Sequence, residues 1–131
     1  MQKILFLCVA NSARSQIAEG LAKVLLKGKA HIQSAGSCAS HVNPYAIEVM
    51  KEIGIDISQQ RSKSVDEIAP ETVDTVITLC SEEVCPPSLG DAEQLHWTLP
   101  DPSSAVGSHE NKLKVFREIR DAIAREIKRL S

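Results

Sequence analysis

At 131 residues the chain is long enough for one domain with a real core. Charged residues make up 24% and apolar ones 43%, at a net charge of −2, which excludes a chain built to neutralise a nucleic-acid backbone. No apolar stretch approaches the length of a membrane span, Met1-Gln2-Lys3 leads straight into a strand rather than a signal peptide, and the four cysteines point to a reducing cytosol, where thiols read as catalytic or redox groups before structural disulfides.

Strand and helix signals alternate along the chain. The apolar run Ile4-Leu5-Phe6-Leu7 predicts a strand over about Lys3–Leu7. A turn follows, Cys8-Val9-Ala10-Asn11-Ser12-Ala13-Arg14-Ser15. Next comes a helix over about Ser15–Lys27, with Ile17, Ala18, Leu21, Ala22 and Leu25 on one face. Gly28 closes it as a left-handed cap. Ala30–Ala35 is a second strand, ending in Ala35-Gly36-Ser37 and a loop with Cys38, Ser40 and His41. Asn43-Pro44 opens a second helix, with Asn as N-cap and Pro at the first position. It runs to about Ile53, turns Ala46, Ile47, Val49, Met50 and Ile53 partly inward, and stops at Gly54. Ile55–Ser58 is a short extended connection. Ser64-Val65-Asp66-Glu67 has the form of a capping box, opening a short helix that Pro70 limits.

Thr75–Leu79 is a third, buried strand that delivers Cys80 at its end, and Pro86-Pro87 interrupts any helix begun after it. Glu93–Trp97 is a fourth strand, ending before Pro100-Asp101-Pro102. His109–Leu130 is a last helix, whose Leu113, Phe116, Ile119, Ile123, Ile127 and Leu130 form a core-facing stripe. The alternation implies a three-layer α/β fold, a four-stranded parallel sheet flanked by helices, in a single domain over residues 1–131. Such sheets bind ligands at the carboxyl ends of their strands. Cys8, Cys80 and Asp101 all follow strands at that edge.

Cys8–Ser15 is a strand-to-helix turn, in which successive backbone N–H groups and the helix start can cradle an anion. The field that holds an oxyanion also stabilises a thiolate, so Cys8 at the lip of the cradle is a candidate nucleophile. Arg14, six positions on, can fold over the loop with a planar fork suited to a tetrahedral oxyanion. Ser15 can donate to the thiolate. Val9, Ala10, Asn11, Ser12 and Ala13 form the loop, and its small residues let it curl. Asp101 on a loop can protonate a leaving oxygen.

Cys80 and Cys85 can form a local disulfide if their segment bends suitably. They can also be two free thiols. A zinc site from Cys80, Cys85 and His96 is the weakest reading, because no second cysteine pair accompanies them; no metal or cofactor is expected. Cys38 is incidental. Three thiols suggest an order of events. Cys8 attacks the oxyanion, Cys80 attacks the Cys8 adduct, and Cys85 attacks Cys80, freeing Cys8. A phosphatase needs only the first cysteine, so the extra pair favours a reductase.

On these residues the chain resembles the low-molecular-weight tyrosine phosphatase fold and, within it, the thioredoxin-coupled arsenate reductases. The matching stretches are Cys8–Gly20, Ser34-Ala35-Gly36, Val42-Asn43-Pro44 with Ala46, Gly54–Ser58, Thr78-Leu79-Cys80, Cys85-Pro86, His96-Trp97 and Asp101-Pro102. The resemblance implies reduction of arsenate to arsenite, with phosphate and sulfate as competing oxyanions. It implies Cys8 as nucleophile, Arg14 and the loop amides as clamp, Ser15 as thiolate stabiliser and Asp101 as general acid. It also implies Cys80 and Cys85 as second and third redox cysteines, regenerated by thioredoxin. The expected setting is the cytoplasm, and nothing in the sequence demands more than a monomer.

Four departures from that pattern stand out. Cys80 and Cys85 are separated by four residues, fewer than is usual in the family. Ala13 stands where many relatives carry another cysteine. Some relatives hold a potassium ion beside the loop through Asn, Glu, Ser and Asp; Asn11, Glu19 and Ser34 match, but Lys63 occupies the Asp position, and its ammonium is expected to replace the ion near Glu19. Ser103-Ser104 follow Asp101-Pro102 where the tyrosine phosphatases have aromatic residues. With two Phe, one Tyr and one Trp in the chain, a wall for a phosphotyrosine ring is hard to assemble.

The alternative is a low-molecular-weight protein-tyrosine phosphatase using Cys8, Arg14 and Asp101, which would survive the loss of Cys80. A phosphate carrier of a sugar-uptake system is a third reading, and it needs neither Asp101-Pro102 nor a thiol pair. Glutaredoxin with glutathione is the other possible electron donor.

Overall fold

The structure is a computed structural model, and it describes residues 2–79 and 92–130. Strand β1 (Gln2–Cys8) is buried from Ile4 to Cys8, as a strand covered on both faces must be. It lies between β2 (Ala30–Gly36) and β3 (Thr75–Thr78), and β4 (Glu93–His96) forms the edge beyond β3. All pairings are parallel, and the register sets Cys8 beside Gly36 and Thr78 beside both Leu7 and His96. The carboxyl ends of the four strands therefore meet at one rim.

Helix α1 (Arg14–Leu25), α2 (Pro44–Lys51) and α3 (His109–Leu130) share one core with Ile4, Phe6, Ile32 and Ile77. Because strand side chains alternate, Leu5, Leu7, Ala35 and Val76 point to the opposite face. There Ile68 and Val73 cover them, carried by the 3₁₀ turns Val65–Glu67 and Pro70–Thr72. Among the described residues the sheet thus lies between a thick helical layer and a thin layer of turns.

The local signals explain the boundaries. Asn43 Oδ1 accepts from the Tyr45 amide at 2.8 Å and Pro44 takes the first helical position. The Ser64–Glu67 capping box forms, but it opens only a single 3₁₀ turn. Three expectations shift. Helix α1 ends at Leu25, and Gly28 takes its left-handed φ of +79° beyond the cap, because Leu26 tucks into the core and Lys29 and Ala30 fold back onto its carbonyl. Helix α2 ends at Lys51, so the following turn carries Ile53 outward, 46% exposed. The stripe of α3 is buried only through Ile127, and Leu130, the last residue of the helix, is exposed. Cys80, Cys85 and Pro86-Pro87 lie outside the described residues. Among the described residues no helix is long and apolar enough to cross a membrane.

Candidate active site

Strand β1 ends in Cys8, and the chain then curls through Val9–Ala13 into α1. The curl needs a left-handed residue, and Asn11 supplies it at φ +47°, a conformation asparagine tolerates better than most. It also needs room. A Cβ on Gly36, opposite Cys8, would fall 2.4 Å from the Val9 carbonyl oxygen and 2.8 Å from the Asn11 nitrogen. The loop can sit where it does because β2 ends in a residue without a side chain.

The first turn of α1 has no acidic residue, and Ala13 at the N-cap makes no side-chain bond to it. Its amides are therefore left to an anion. The loop opens on a cavity of about 300 Å³ lined by Cys8, Val9, Ala10, Ser12, Ala13, Arg14, Asp101 and Ser103. Arg14 is buried, 4% exposed, and its Nη1 donates to the Leu99 carbonyl at 2.9 Å and the Leu79 carbonyl at 3.3 Å. These bonds tie the guanidinium to the segments leaving β3 and β4. Asp101 caps the turn Pro102–Ser104, and its Oδ1 accepts from the Ser103 amide at 2.9 Å and the Ser103 hydroxyl at 2.6 Å.

Behind the cavity lies a buried polar network. Asn11 and Ser15, both 0% exposed, do not line the cavity; they brace it. Asn11 Oδ1 accepts from the Lys63 amide at 2.8 Å and from Gln16 Nε2 at 3.0 Å. Its Nδ2 donates to Ser15 Oγ at 2.7 Å and Ser34 Oγ at 3.1 Å. Ser15 Oγ lies 2.9 Å from Cys8 Sγ, where its hydroxyl can donate to the sulfur once the thiol is ionised. Ser34 in turn donates to Glu19 Oε1. Glu19 Oε2 also accepts from Lys23 Nζ at 2.6 Å, and Lys63 Nζ stands 3.9 Å from Oε1. Lys63 thus puts its charge beside Glu19, as expected of it. Burial holds Lys63 below the ordinary lysine range, against the pull of Glu19. No buried side-chain nitrogen or oxygen among the described residues lacks a partner.

Of the residues singled out from sequence, Cys8, Val9, Ala10, Ser12, Ala13, Arg14 and Asp101 meet at the cavity. Cys80 and Cys85 lie outside the described residues. Cys38 is exposed, on the segment whose amide bonds the Val9 carbonyl at 2.8 Å. Sequence reasoning missed Gln16, Gln60 and Ser62, and noted Ser103 only as standing where the tyrosine phosphatases have an aromatic residue. Gln60 Nε2 donates to Gln16 Oε1 at 2.7 Å, and Ser62 Oγ donates to the Ala10 carbonyl at 3.1 Å. Only the placement of Gln16 within the motif stretch hinted at any of them.

A buried thiol, a fixed guanidinium and a carboxyl around a small cradle suit attack on a tetrahedral oxyanion. The comparisons agree with this chemistry. An arsenate reductase of Halalkalibacterium halodurans is 46% identical over 95% of this chain and 91% of its own length. A solved arsenate reductase in the phosphate-binding state superposes with a TM-score of 0.85 at 38% identity, over 99% of this chain and 96% of that one. A thioredoxin-dependent arsenate reductase of Corynebacterium glutamicum superposes at 0.69 and 28% identity, over all of this chain and 64% of that one. Residues 3–131 match the family described as low molecular weight phosphotyrosine protein phosphatase, and the chain belongs to that family.

Proposed function

We propose that the protein is an arsenate reductase that works through a three-cysteine relay regenerated by thioredoxin. The observation that carries the substrate class is the cavity lining. Among the described residues it holds a thiol, a guanidinium and a carboxyl, with no aromatic side chain to receive a phosphotyrosine ring. Arsenate and phosphate share shape and charge, so aryl phosphates are slow side substrates and phosphate and sulfate compete.

In the first step the Cys8 thiolate, accepting the Ser15 hydrogen, attacks arsenic. A sulfur–arsenic bond forms and an arsenic–oxygen bond breaks. The departing oxygen takes a proton from Asp101 and leaves as water, while Arg14 and the loop amides Val9–Ala13 hold the remaining oxygens. In the second step the Cys80 thiolate attacks Cys8 Sγ. The sulfur–arsenic electron pair stays on arsenic, which leaves as arsenite. Two thiols have lost two electrons and arsenic has gained them, as a Cys8–Cys80 disulfide. Cys85 then attacks Cys80, freeing Cys8, and thioredoxin reduces the Cys80–Cys85 disulfide. A single domain over residues 1–131 acting as a monomer in a reducing cytosol suffices.

The test is arsenate-dependent NADPH oxidation with thioredoxin and thioredoxin reductase. Wild-type turnover that vanishes in Cys85→Ser supports the relay. Turnover in both means that the donor resolves a Cys8–Cys80 disulfide itself. No turnover in either, with phosphate release from an aryl phosphate that persists in Cys80→Ser, makes the protein a phosphatase.

A further inference from the structure

Successive carbonyls of the anion loop are held by the chain around it. Val9 accepts from the Cys38 amide at 2.8 Å, Ala10 from the Ser40 amide at 3.1 Å and Ser12 from the Asn43 amide at 3.0 Å. The Asn11 carbonyl differs. Among the described residues it has no backbone donor, and the Gln16 side chain holds it instead, with Nε2 donating at 3.1 Å. The same nitrogen reaches Asn11 Oδ1 at 3.0 Å and the Arg61 carbonyl at 3.1 Å. Backbone carbonyls only accept, so this end of the Gln16 amide must be the nitrogen. Its oxygen then faces Gln60, whose Nε2 donates to Gln16 Oε1 at 2.7 Å and to the Gln16 carbonyl at 3.1 Å. The Asn11–Ser12 peptide is trans and planar, so its N–H points opposite to its carbonyl. Gln16 is fully buried and Ser12 lines the cavity, so a carbonyl turned to Gln16 turns the Ser12 N–H toward the cavity. That N–H has no partner among the described residues.

We infer that Gln16, held in turn by Gln60, is a positioning residue for oxyanion binding, and that it aims the Ser12 N–H at the bound oxyanion. This rests on the reading of the loop amides as the oxyanion clamp. Asn11 is left-handed, at φ +47°, and such a backbone keeps its shape only where its surroundings fix it. The peptides after Val9, Ala10 and Ser12 are aimed by backbone amides, which these substitutions leave in place. The peptide after Asn11 hangs on a side chain, so a point substitution can release it while the other tethers stay. Gln16→Met keeps the length of the side chain and loses its donor. Gln60→Met leaves that donor in place and removes the bond that orients it. Neither glutamine lines the cavity, so neither substitution changes what the oxyanion touches.

The experiment is a titration of the pre-reduced, isotopically labelled full chain with inorganic phosphate, read by NMR. Kd and the shift of each loop amide proton are compared for wild type, Gln16→Met, Gln60→Met and the double variant, with the urea stability of each. In the wild type the Ala10, Ser12 and Ala13 amides all move on binding. In Gln16→Met the Kd rises about tenfold, the loss of one charge-assisted bond among several, and the Ser12 response disappears while Ala10 and Ala13 keep theirs. Gln60→Met weakens the same response and raises Kd about threefold, because the donor stays but loses its orientation. The double variant binds no more weakly than Gln16→Met, because Gln60 acts through Gln16. A wild-type Kd with a full Ser12 response in either variant overturns the proposal, and if Gln16→Met does not fold, Gln60→Met decides alone. Loss of all three amide responses together means that the glutamines only hold the loop folded, and it overturns the aiming role. A wild-type Ser12 amide that stays unmoved while Ala10 and Ala13 respond overturns the proposal and leaves the clamp standing. Phosphate that moves no loop amide of the wild type overturns the clamp reading itself.

Discussion

Two polar networks in this molecule use the same kinds of group and serve opposite ends. One lies behind the anion loop, where Asn11, Ser15, Gln16, Ser34 and Glu19 are all buried. The other joins α2 to α3 on the surface. There Glu52 accepts from Arg117 Nη2 at 2.7 Å and Arg120 Nη1 at 3.0 Å, and Arg120 also reaches Asp121 at 2.9 Å. In the buried network the donors and acceptors meet only one another and water cannot substitute, so losing a partner strands a polar group. In the surface network water and salt replace whatever is lost. The first network fixes the shape of a reactive loop, and the second only trims the packing of two helices that the core already holds together.

The sharpest way to break this contrast is Asn11→Ala. It removes four hydrogen bonds and forces alanine into a left-handed turn, at an expected cost of about 3 kcal/mol in urea unfolding, undiminished in high salt. A loss below about 1 kcal/mol, or one that salt erases, would place the buried network in the same class as the surface one.

Lys63 sits between the two regimes. Because burial lowers its proton affinity below the ordinary 10.5, the folded state sheds the proton first, and wild-type stability relative to Lys63→Met rises as pH climbs from that lowered value toward 10.5. If its ammonium, 3.9 Å from Glu19, stands in for a potassium ion, Tm is the same in potassium and sodium chloride at equal ionic strength. Potassium-specific stabilisation would refute the substitution of lysine for the ion.

Glu52→Gln has the smallest effect, a Tm lower by about 1–2 °C that disappears in high salt. The Arg117 and Arg120 bonds hold Glu52 below its ordinary 4.5, so the contribution is present above that value and lost as pH falls through the lowered one. Wild type and variant should therefore converge in acid, and a gap that persists there would show that Glu52 acts through packing.

What the sequence made legible follows from the range of the interactions. The strand of β1, the cap of α2 at Asn43 and the stripe of α3 depend on near neighbours, and they fold as their periods and caps dictate. The cavity residues Cys8 to Arg14 were legible because a short loop carries them all. Ser103 was noted only for not being aromatic, and its bonds to Asp101 two positions back went unread because serine beside Asp-Pro is ordinary turn chemistry. The braces were out of reach for a different reason. Gln16 meets the Arg61 carbonyl across 45 positions, and Asn11 meets the Lys63 amide across 52, so their polar character gave no hint of burial. Ile53 and Leu130 look apolar enough for the core, yet each lies at the end of a helix, where the face that a period predicts has already turned away.

Gly36 carries a consequence for any attempt to diversify this scaffold. The loop around Cys8 is cast against an empty position on the neighbouring strand, so the pocket's outline is partly written by an atom that is not there. A library aimed at new oxyanions could vary Ser103, which lines the cavity. Randomising position 36 would deform the mould itself, and most of its members would lose the ability to bind any anion before they could acquire a preference among them.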